Sequence, residues 1–226
     1  MLIVLTNTKG GVGKSTLAVH LAVWLHDQGF STALVDGDKQ VSSSTWLAEV
    51  EPKITLAVAD TPESCLTAVQ ELAKSHEFVV ADGPAGLDDV SRTLLILADL
   101  ALFPISPSIL DLRSVRQATQ ILRYAQQLNG GKPQGQLILN KMRTRETISR
   151  ELQAAAPNLG MAVATTVMRD LQAFRDAAQQ GTVVTRMGKR AAAAAGDISQ
   201  LFQELMMEQI TPPPISRATQ REATHG

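Results

Sequence analysis

Two lysines and three glycines are crowded into the stretch "KGGVGKST", residues 9–16. Glycine lets the backbone turn tightly, so that successive N–H groups can point at the oxygens of a bound phosphate. Lys14 is placed to reach the β- and γ-phosphates of a nucleotide, and the Ser15 hydroxyl to ligate Mg²⁺. Thr16 can donate a further hydrogen bond to the phosphates. These residue types in this order predict a loop that binds a nucleoside triphosphate.

The elements that must position this loop are indicated by apolar segments that alternate with longer helical patterns. Continuous apolar strands suit a parallel sheet that is buried on both faces. We therefore predict a doubly wound α/β fold with three layers, a mostly parallel sheet and helices on both faces, in which the loop joins the first strand to the first helix. The predicted strands are "LIVLT" (2–6), "TALVD" (32–36), "TLAVA" (55–59), "FVVAD" (78–82), "LALFPI" (100–105), "QLILN" (136–140) and "MAVATT" (161–166).

Length and composition favour one domain. A chain of 226 residues suits a single core, and we expect it to span 1–210. The segment 211–226, "TPPPISRATQREATHG", has three consecutive prolines and almost no apolar content, so we expect it to be disordered. The single Cys65 fits a reducing cytoplasm, and no apolar run approaches the ~20 residues of a transmembrane helix.

The loop departs from the usual pattern G-x-x-x-x-G-K-[ST], because Thr8 stands where the first glycine belongs and Lys9 follows it. In this it resembles the deviant Walker A motif of the ParA/MinD superfamily of P-loop ATPases. The resemblance implies that Lys14 contacts its own nucleotide, while Lys9 reaches across an ATP-sandwich homodimer to the phosphates of the partner subunit. It also implies that ATP and Mg²⁺ are bound by the loop residues Gly10, Gly11, Val12, Gly13, Lys14, Ser15 and Thr16.

Two acidic segments agree with this resemblance. "LVDGDKQ" (34–40) is similar to the second-strand motif of the family, which implies that Asp36 lies near Mg²⁺ and that Asp38 positions the attacking water. The family usually has proline where this chain has Lys39, and a solvated aspartate pair in a turn is the alternative interpretation. "FVVADGPAG" (78–86) resembles a Walker B element, in which Asp82 holds Mg²⁺ through water and Gly83 leaves room for the γ-phosphate.

The pocket for the base is indicated less directly. Asn140 ends the strand in "LILNKM" (137–142), and many relatives use an Asn there to bind adenine, because an amide can donate and accept. A cap on the next helix is the alternative role. "FPISPSILDLRS" (103–114) resembles the segment with which short partition ATPases cover the dimer interface, including Pro107 and Asp111.

Charge is distributed unevenly along the chain. Residues 1–100 carry 6 basic and 13 acidic side chains, whereas residues 101–190 carry 13 basic and 5 acidic ones, although the formal net charge is −1. Such a chain can present a basic face to a polyanion, or it can scatter these charges over several solvated faces. Nine basic residues between 141 and 190, Lys141 among them, are candidates for sequence-independent contacts with DNA phosphates, and the favoured ones are Arg186, Lys189 and Arg190 in "RMGKR" (186–190).

The best match within the family is to small ParA-type partition ATPases, such as ParF. This resemblance implies a slow, partner-stimulated Mg²⁺-ATPase that dimerises with ATP, binds the nucleoid and segregates a plasmid or chromosome. It also implies an adaptor protein of ParB or ParG type, or a cargo-specific equivalent, and a cytoplasmic, nucleoid-associated location. The same mechanism acting on a protein cargo, such as a carboxysome or a chemoreceptor cluster, is the alternative.

Several other classes fit the sequence less well. A MinD-like membrane ATPase needs a basic amphipathic C-terminal helix, but the polar face of the last helix carries Glu204 and Glu208. We therefore expect its apolar stripe to pack on the core or on a partner, with no membrane contact. Nitrogenase-type carriers of this fold use two cysteines, and this chain has one. A metabolic ligase of similar fold is a further alternative, although Lys9 counts against it. Asp38 argues for hydrolysis, and therefore against a polymer that keeps its nucleotide unhydrolysed. The stripe consists of Ile198, Leu201, Phe202, Leu205 and Met206.

Overall fold

The computed structural model describes residues 1–86, 88–106, 112–143 and 161–210. Its strands are β1 (Leu2–Asn7), β2 (Thr32–Asp36), β3 (Thr55–Val58), β4 (Phe78–Ala85), β5 (Leu100–Ile105), β6 (Gln134–Leu139) and β7 (Ala162–Val163). Its helices are α1 (Lys14–Asp27), α2 (Ser42–Val50), α3 (Pro62–Leu72), α4 (Asp89–Leu97), α5 (Leu112–Leu128), α6 (Gln172–Gln179) and α7 (Ala192–Ile210), with 3₁₀ turns at Val184–Arg186 and Gly188–Ala191.

The strands form one parallel sheet of seven strands in the order β3-β2-β4-β1-β5-β6-β7. Helices cover both faces of the sheet. Side chains alternate between these two faces along each strand, so each strand contributes to both cores. Ile3 and Leu5 of β1 pack in the cluster with α1 and α7, whereas Leu2 and Val4 pack in the cluster with α3 and α4. The predicted doubly wound fold and all seven predicted strands are confirmed.

The last strand is shorter than its sequence pattern predicts. It was expected over 161–166, but only Ala162–Val163 are paired as a strand. Glu204 of α7 explains the difference, because its carboxylate accepts the backbone N–H groups of Thr165 and Thr166. These two amides are therefore bound to a helix rather than to the sheet.

The apolar stripe of α7 is buried against the core, as predicted. Arg169 strengthens the attachment, since its Nε lies 2.7 Å from Oδ2 of Asp197 on α7. In the described part of the chain, no helix is long and apolar enough to cross a membrane. The tail 211–226 and the interface segment with Pro107 and Asp111 lie outside the described residues.

His20 connects α1 to the segment that precedes α7. Its Nδ1 lies 2.7 Å from the Thr16 carbonyl oxygen, and its Nε2 accepts a hydrogen bond from the Val184 N–H. Burial lowers the pKa of His20 to about 4, so the ring is neutral at physiological pH and Nδ1 carries the proton. The helix that begins at the phosphate loop is thereby fixed to the C-terminal part of the domain.

Candidate nucleotide and magnesium site

The carboxyl ends of three neighbouring strands bring the candidate residues together. Asp36 of β2 is the register partner of Asp82 of β4, and Leu5 of β1 pairs with Asp82 on its other side. The phosphate loop follows directly after β1 and leads into α1. In open parallel α/β sheets, this edge is where ligands bind.

The loop ends in a helix start that suits an anion. Gly13 is the N-cap residue of α1, with φ of 96° and without a side-chain cap. A Cβ atom at this position would overlap the Asn140 amide nitrogen, so that glycine is required by both conformation and space. The first N–H groups of α1 are available to a ligand, and the helix dipole favours negative charge there.

Lys14 is largely buried, with 7% of its surface exposed. Burial lowers the pKa of its ammonium, whereas the carboxylates of Asp82 and Asp38 act in the opposite direction. The structure therefore places these three predicted residues near one another. A buried ammonium group in the phosphate loop is available to pair with phosphate oxygens.

Asp82 is the clearest candidate for holding Mg²⁺. The residue is fully buried, and neither carboxylate oxygen has a hydrogen-bond partner among the described residues. Burial raises the pKa of Asp82 to about 6, while the nearby Ser15 and Ser43 hydroxyls lower it. The pKa of this carboxylate stays raised in spite of the nearby Lys14 and the two hydroxyls, and a hydrated Mg²⁺ would supply further positive charge, so this residue fits the ion.

Asp36 differs from Asp82 although the two are neighbours. Its Oδ1 accepts the Asp38 N–H at 3.1 Å, and its Oδ2 accepts the Ser44 N–H at 2.9 Å. Both oxygens are already bound to the backbone of the 38–44 segment. We therefore expect Asp36 to position the loop that carries Asp38, and to reach Mg²⁺ only through water. Within the described residues, no group of three acidic, His or Cys side chains forms a protein cage for a metal.

The burial of Asp82 predicts a pH-dependent stability effect. Because its folded pKa of about 6 exceeds the unfolded value of 3.8, the charged carboxylate destabilises the folded state as pH rises through this interval. At pH 8 without Mg²⁺, Asp82→Asn should raise the free energy of unfolding by about 1–3 kcal/mol. The gain should disappear below about pH 4, where Asp82 is protonated in both states.

Urea unfolding at both pH values measures this difference, with the exposed Asp60→Asn as the control variant. A loss of stability in Asp82→Asn at pH 8, or an equal gain at both pH values, would show that Asp82 is not a strained carboxylate.

Lys9 lies on the exposed side of the loop and forms no ion pair with a described residue. Its backbone N–H donates to Asn7 Oδ1 at 3.1 Å, and the Thr8 hydroxyl donates to the same oxygen. The buried Asn7 side chain thus holds the start of the loop through these two hydrogen bonds. Its position at the end of a strand does not indicate this role.

A cavity of about 160 Å³ adjoins the loop and is the candidate site for the base. Asn140 lines it and donates to the Val12 carbonyl oxygen at 2.8 Å. Asn140 therefore supports the phosphate loop through this contact, whereas residues 144–160, which would include the helix that Asn140 was expected to cap, lie outside the described residues. The other lining residues are Thr16, Leu17, Lys141, Met168, Arg169, Asp170, Leu171, Phe174, Arg175 and Ala178.

The candidate DNA-binding residues separate into two groups. Arg186 Nη2 lies 2.7 Å from Asp27 Oδ1 and 2.9 Å from Glu51 Oε2, so its guanidinium is held by two carboxylates. Lys189 and Arg190 are exposed and form no ion pair with a described residue. The structure thus assigns Arg186 an internal role that sequence analysis missed, because its partners lie more than 130 residues away in the chain.

Comparison with known proteins shows the family to which this chain belongs. Residues 3–184 match the family model described as the CobQ/CobB/MinD/ParA nucleotide binding domain. The chain belongs to this family. It is 31% identical to "Maintenance of carboxysome distribution protein A" of Halothiobacillus neapolitanus over 88% of this chain and 94% of that protein. It is 32% identical to "Protein ParA" of Rhizobium radiobacter over 54% of this chain and 55% of that protein.

Solved structures share the fold. A Cyanothece McdA–ATP complex superimposes with a TM-score of 0.72 at 14% identity, covering 94% of this chain and 98% of that one. The cell division ATPase MinD of Pyrococcus furiosus also has a TM-score of 0.72, at 21% identity, covering 92% of this chain and 99% of that one. The expected ParA/MinD superfamily membership is confirmed.

Two features of the family site were not found from sequence. The Ser43 hydroxyl is fully buried and has no hydrogen-bond partner among the described residues, yet it lies close enough to lower the pKa of Asp82. Gly83 is crowded by β1, since an added Cβ would lie 2.9 Å from the Leu5 carbonyl oxygen. The glycine is therefore needed for strand packing, whether or not a phosphate approaches it.

Proposed function

We propose that this protein is a Mg²⁺-dependent ATPase that forms an ATP-sandwich dimer and distributes a protein cargo, such as the carboxysome, along the nucleoid. The observation that supports a protein cargo is the match at 31% identity to a carboxysome distribution protein, which extends over 94% of that relative. A second relative of that name, from Gloeobacter kilaueensis, matches over 93% of its length at 27% identity. This support favours the protein-cargo alternative over plasmid or chromosome segregation.

Hydrolysis is proposed from the residues at the carboxyl ends of β1, β2 and β4. Lys14 and the N–H groups of the loop bind the phosphates, and Ser15 and Asp82 are placed to hold hydrated Mg²⁺. The bound ion would neutralise charge on the β- and γ-phosphates. Asp38 is partly exposed close to Lys14, where it can accept a proton or a hydrogen bond from the attacking water.

Dimerisation would link this site to a second one. Lys9 is exposed in the monomer, and in the proposed dimer it contacts the phosphates bound by the partner subunit. ATP would therefore favour association, and hydrolysis would favour dissociation. A cargo-specific adaptor, rather than one of ParB or ParG type, is the expected partner under this proposal.

DNA is the proposed track, and Lys189 and Arg190 are the proposed phosphate contacts. We expect Lys189→Glu/Arg190→Glu to weaken binding of the ATP-bound dimer to random duplex DNA by at least about tenfold. The salt dependence should also become shallower, because fewer counterions are released. Arg186 is left unchanged in this variant, since its reversal would break two internal ion pairs.

Fluorescence anisotropy with ATP or ADP across a salt series measures this binding. Lys74→Glu/Arg92→Glu is the control, because it makes the same charge change at exposed residues on α4 and just after α3. Equal losses of DNA affinity in both double variants would show that the effect comes from net charge and not from Lys189 and Arg190 in particular. Equal affinity with ATP and ADP would contradict nucleotide-controlled DNA binding and direct the search to another track.

A further inference from the structure

Two consecutive residues after β6 hold two consecutive carbonyl groups of the phosphate loop. Asn140 Nδ2 donates to the Val12 carbonyl oxygen at 2.8 Å, and Lys141 Nζ donates to the Gly11 carbonyl oxygen at 2.7 Å. Both contacts join segments about 130 residues apart in the chain. Asn140 was singled out by its sequence pattern, whereas Lys141 was considered only as one of many basic side chains.

The geometry of the peptide bond gives these contacts a consequence for ligand binding. The Gly11 carbonyl and the Val12 N–H belong to one planar trans peptide group, so they point in opposite directions. The same holds for the Val12 carbonyl and the Gly13 N–H. Holding both carbonyl oxygens on the side of β6 therefore directs the N–H groups of Val12 and Gly13 to the other side of the loop.

Lys141 makes its contact from an unusual backbone conformation. Its φ is +57°, in the left-handed region that glycine adopts freely and that other residues adopt rarely. Its side chain is solvent-exposed, so that the hydrogen bond to Gly11 adds little to the stability of the fold. An exposed contact made from a strained backbone is better explained by an effect on the loop than by one on the core.

We propose that Lys141 is a positioning residue of the nucleotide site, which fixes the Gly11–Val12 peptide so that its N–H faces the phosphates before nucleotide arrives. Lys141 and Asn140 also line the base cavity, so the same two residues connect the base and phosphate parts of the site. The inference rests on the proposed function only in taking the ligand of the loop to be a nucleotide.

The test compares Lys141→Ala, Lys141→Gly and Lys141→Arg in the full chain, with Lys53→Ala as an exposed-lysine control. The order parameters of the backbone N–H groups of residues 11–14 are measured by ¹⁵N relaxation without nucleotide, and Mg²⁺-ADP affinity is measured by calorimetry. Both the Ala and Gly variants should show lower order parameters in the loop and bind ADP about fivefold more weakly. The Arg variant retains a donor and should restore much of both properties.

Glycine also separates positioning from strain. It relieves the left-handed backbone, so the Gly variant should unfold at or above the temperature of the Ala variant while its loop N–H groups lose the same degree of order. Unchanged order parameters in the Ala and Gly variants would overturn the proposal, as would lower order parameters with unchanged ADP affinity. If the native protein fails to bind ADP, the proposed nucleotide function falls, whereas the comparison of order parameters still decides whether Lys141 orders the loop.

Discussion

Replacing Lys14 by alanine is expected to weaken nucleotide binding by at least about 100-fold, because it removes a largely buried cation from the phosphates. The side chain is 7% exposed and lies near the carboxylates of Asp82 and Asp38. Without its ammonium, these two carboxylates would repel the incoming phosphates. Calorimetric titration with Mg²⁺-ADP and Mg²⁺-ATP measures the loss.

The control for this variant is Lys39→Ala, which removes an exposed lysine from the neighbouring loop and should bind nucleotide nearly as the native protein does. Thermal unfolding of the Lys14→Ala protein establishes that it is folded. A folded variant with an affinity within threefold of the native value, roughly 0.7 kcal/mol, would remove Lys14 from the phosphate site.

Replacing Lys9 by alanine should have a different and equally large effect. Since the Lys9 side chain is exposed and the bond from its backbone N–H to Asn7 does not depend on that side chain, the monomer should fold and bind nucleotide normally. The proposed contact with the phosphates of the partner subunit is lost, twice in a symmetric dimer. We expect the ATP-dependent dimer to weaken by at least about 100-fold, and ATP turnover to fall with it.

Light scattering of Lys9→Ala and Lys39→Ala with Mg²⁺-ATP compares these predictions over a range of protein concentrations. A Lys9→Ala protein that dimerises with ATP at the native concentration would show that the lysine acts within its own subunit. Weaker ADP binding by monomeric Lys9→Ala than by the native monomer would also show that Lys9 contacts the nucleotide of its own subunit.

The sequence predicted those parts of the structure that depend on local pattern. Continuous apolar segments identified all seven strands, and the spacing of Gly13, Lys14 and Ser15 identified the turn from β1 to α1. Asp36 and Asp82 end neighbouring parallel strands, so their meeting at one sheet edge follows from topology. These features follow from the residues themselves and from the parallel order of the strands, whose carboxyl ends lie at one edge of the sheet.

Features that depend on distant contacts could not be predicted in this way. Arg186 belongs to a basic cluster in sequence, but its partners come from α1 and from the residue that follows α2. The left-handed Lys141 and the unpartnered Ser43 hydroxyl carry no signal of their own, because each is defined by what lies beside it. The strand pattern at 161–166 was overridden by Glu204, which binds two of its amides.

ATP, and not ADP, is expected to join two of these chains into a dimer. The molar mass of Asp38→Ala in solution is the decisive measurement, because slowing water attack should preserve the triphosphate while the mass is measured. With Mg²⁺-ATP we expect twice the chain mass of 24.2 kDa, and with Mg²⁺-ADP we expect a single chain. The same molar mass with both nucleotides, whether monomer or dimer, would contradict an ATP-sandwich dimer as the basis of function.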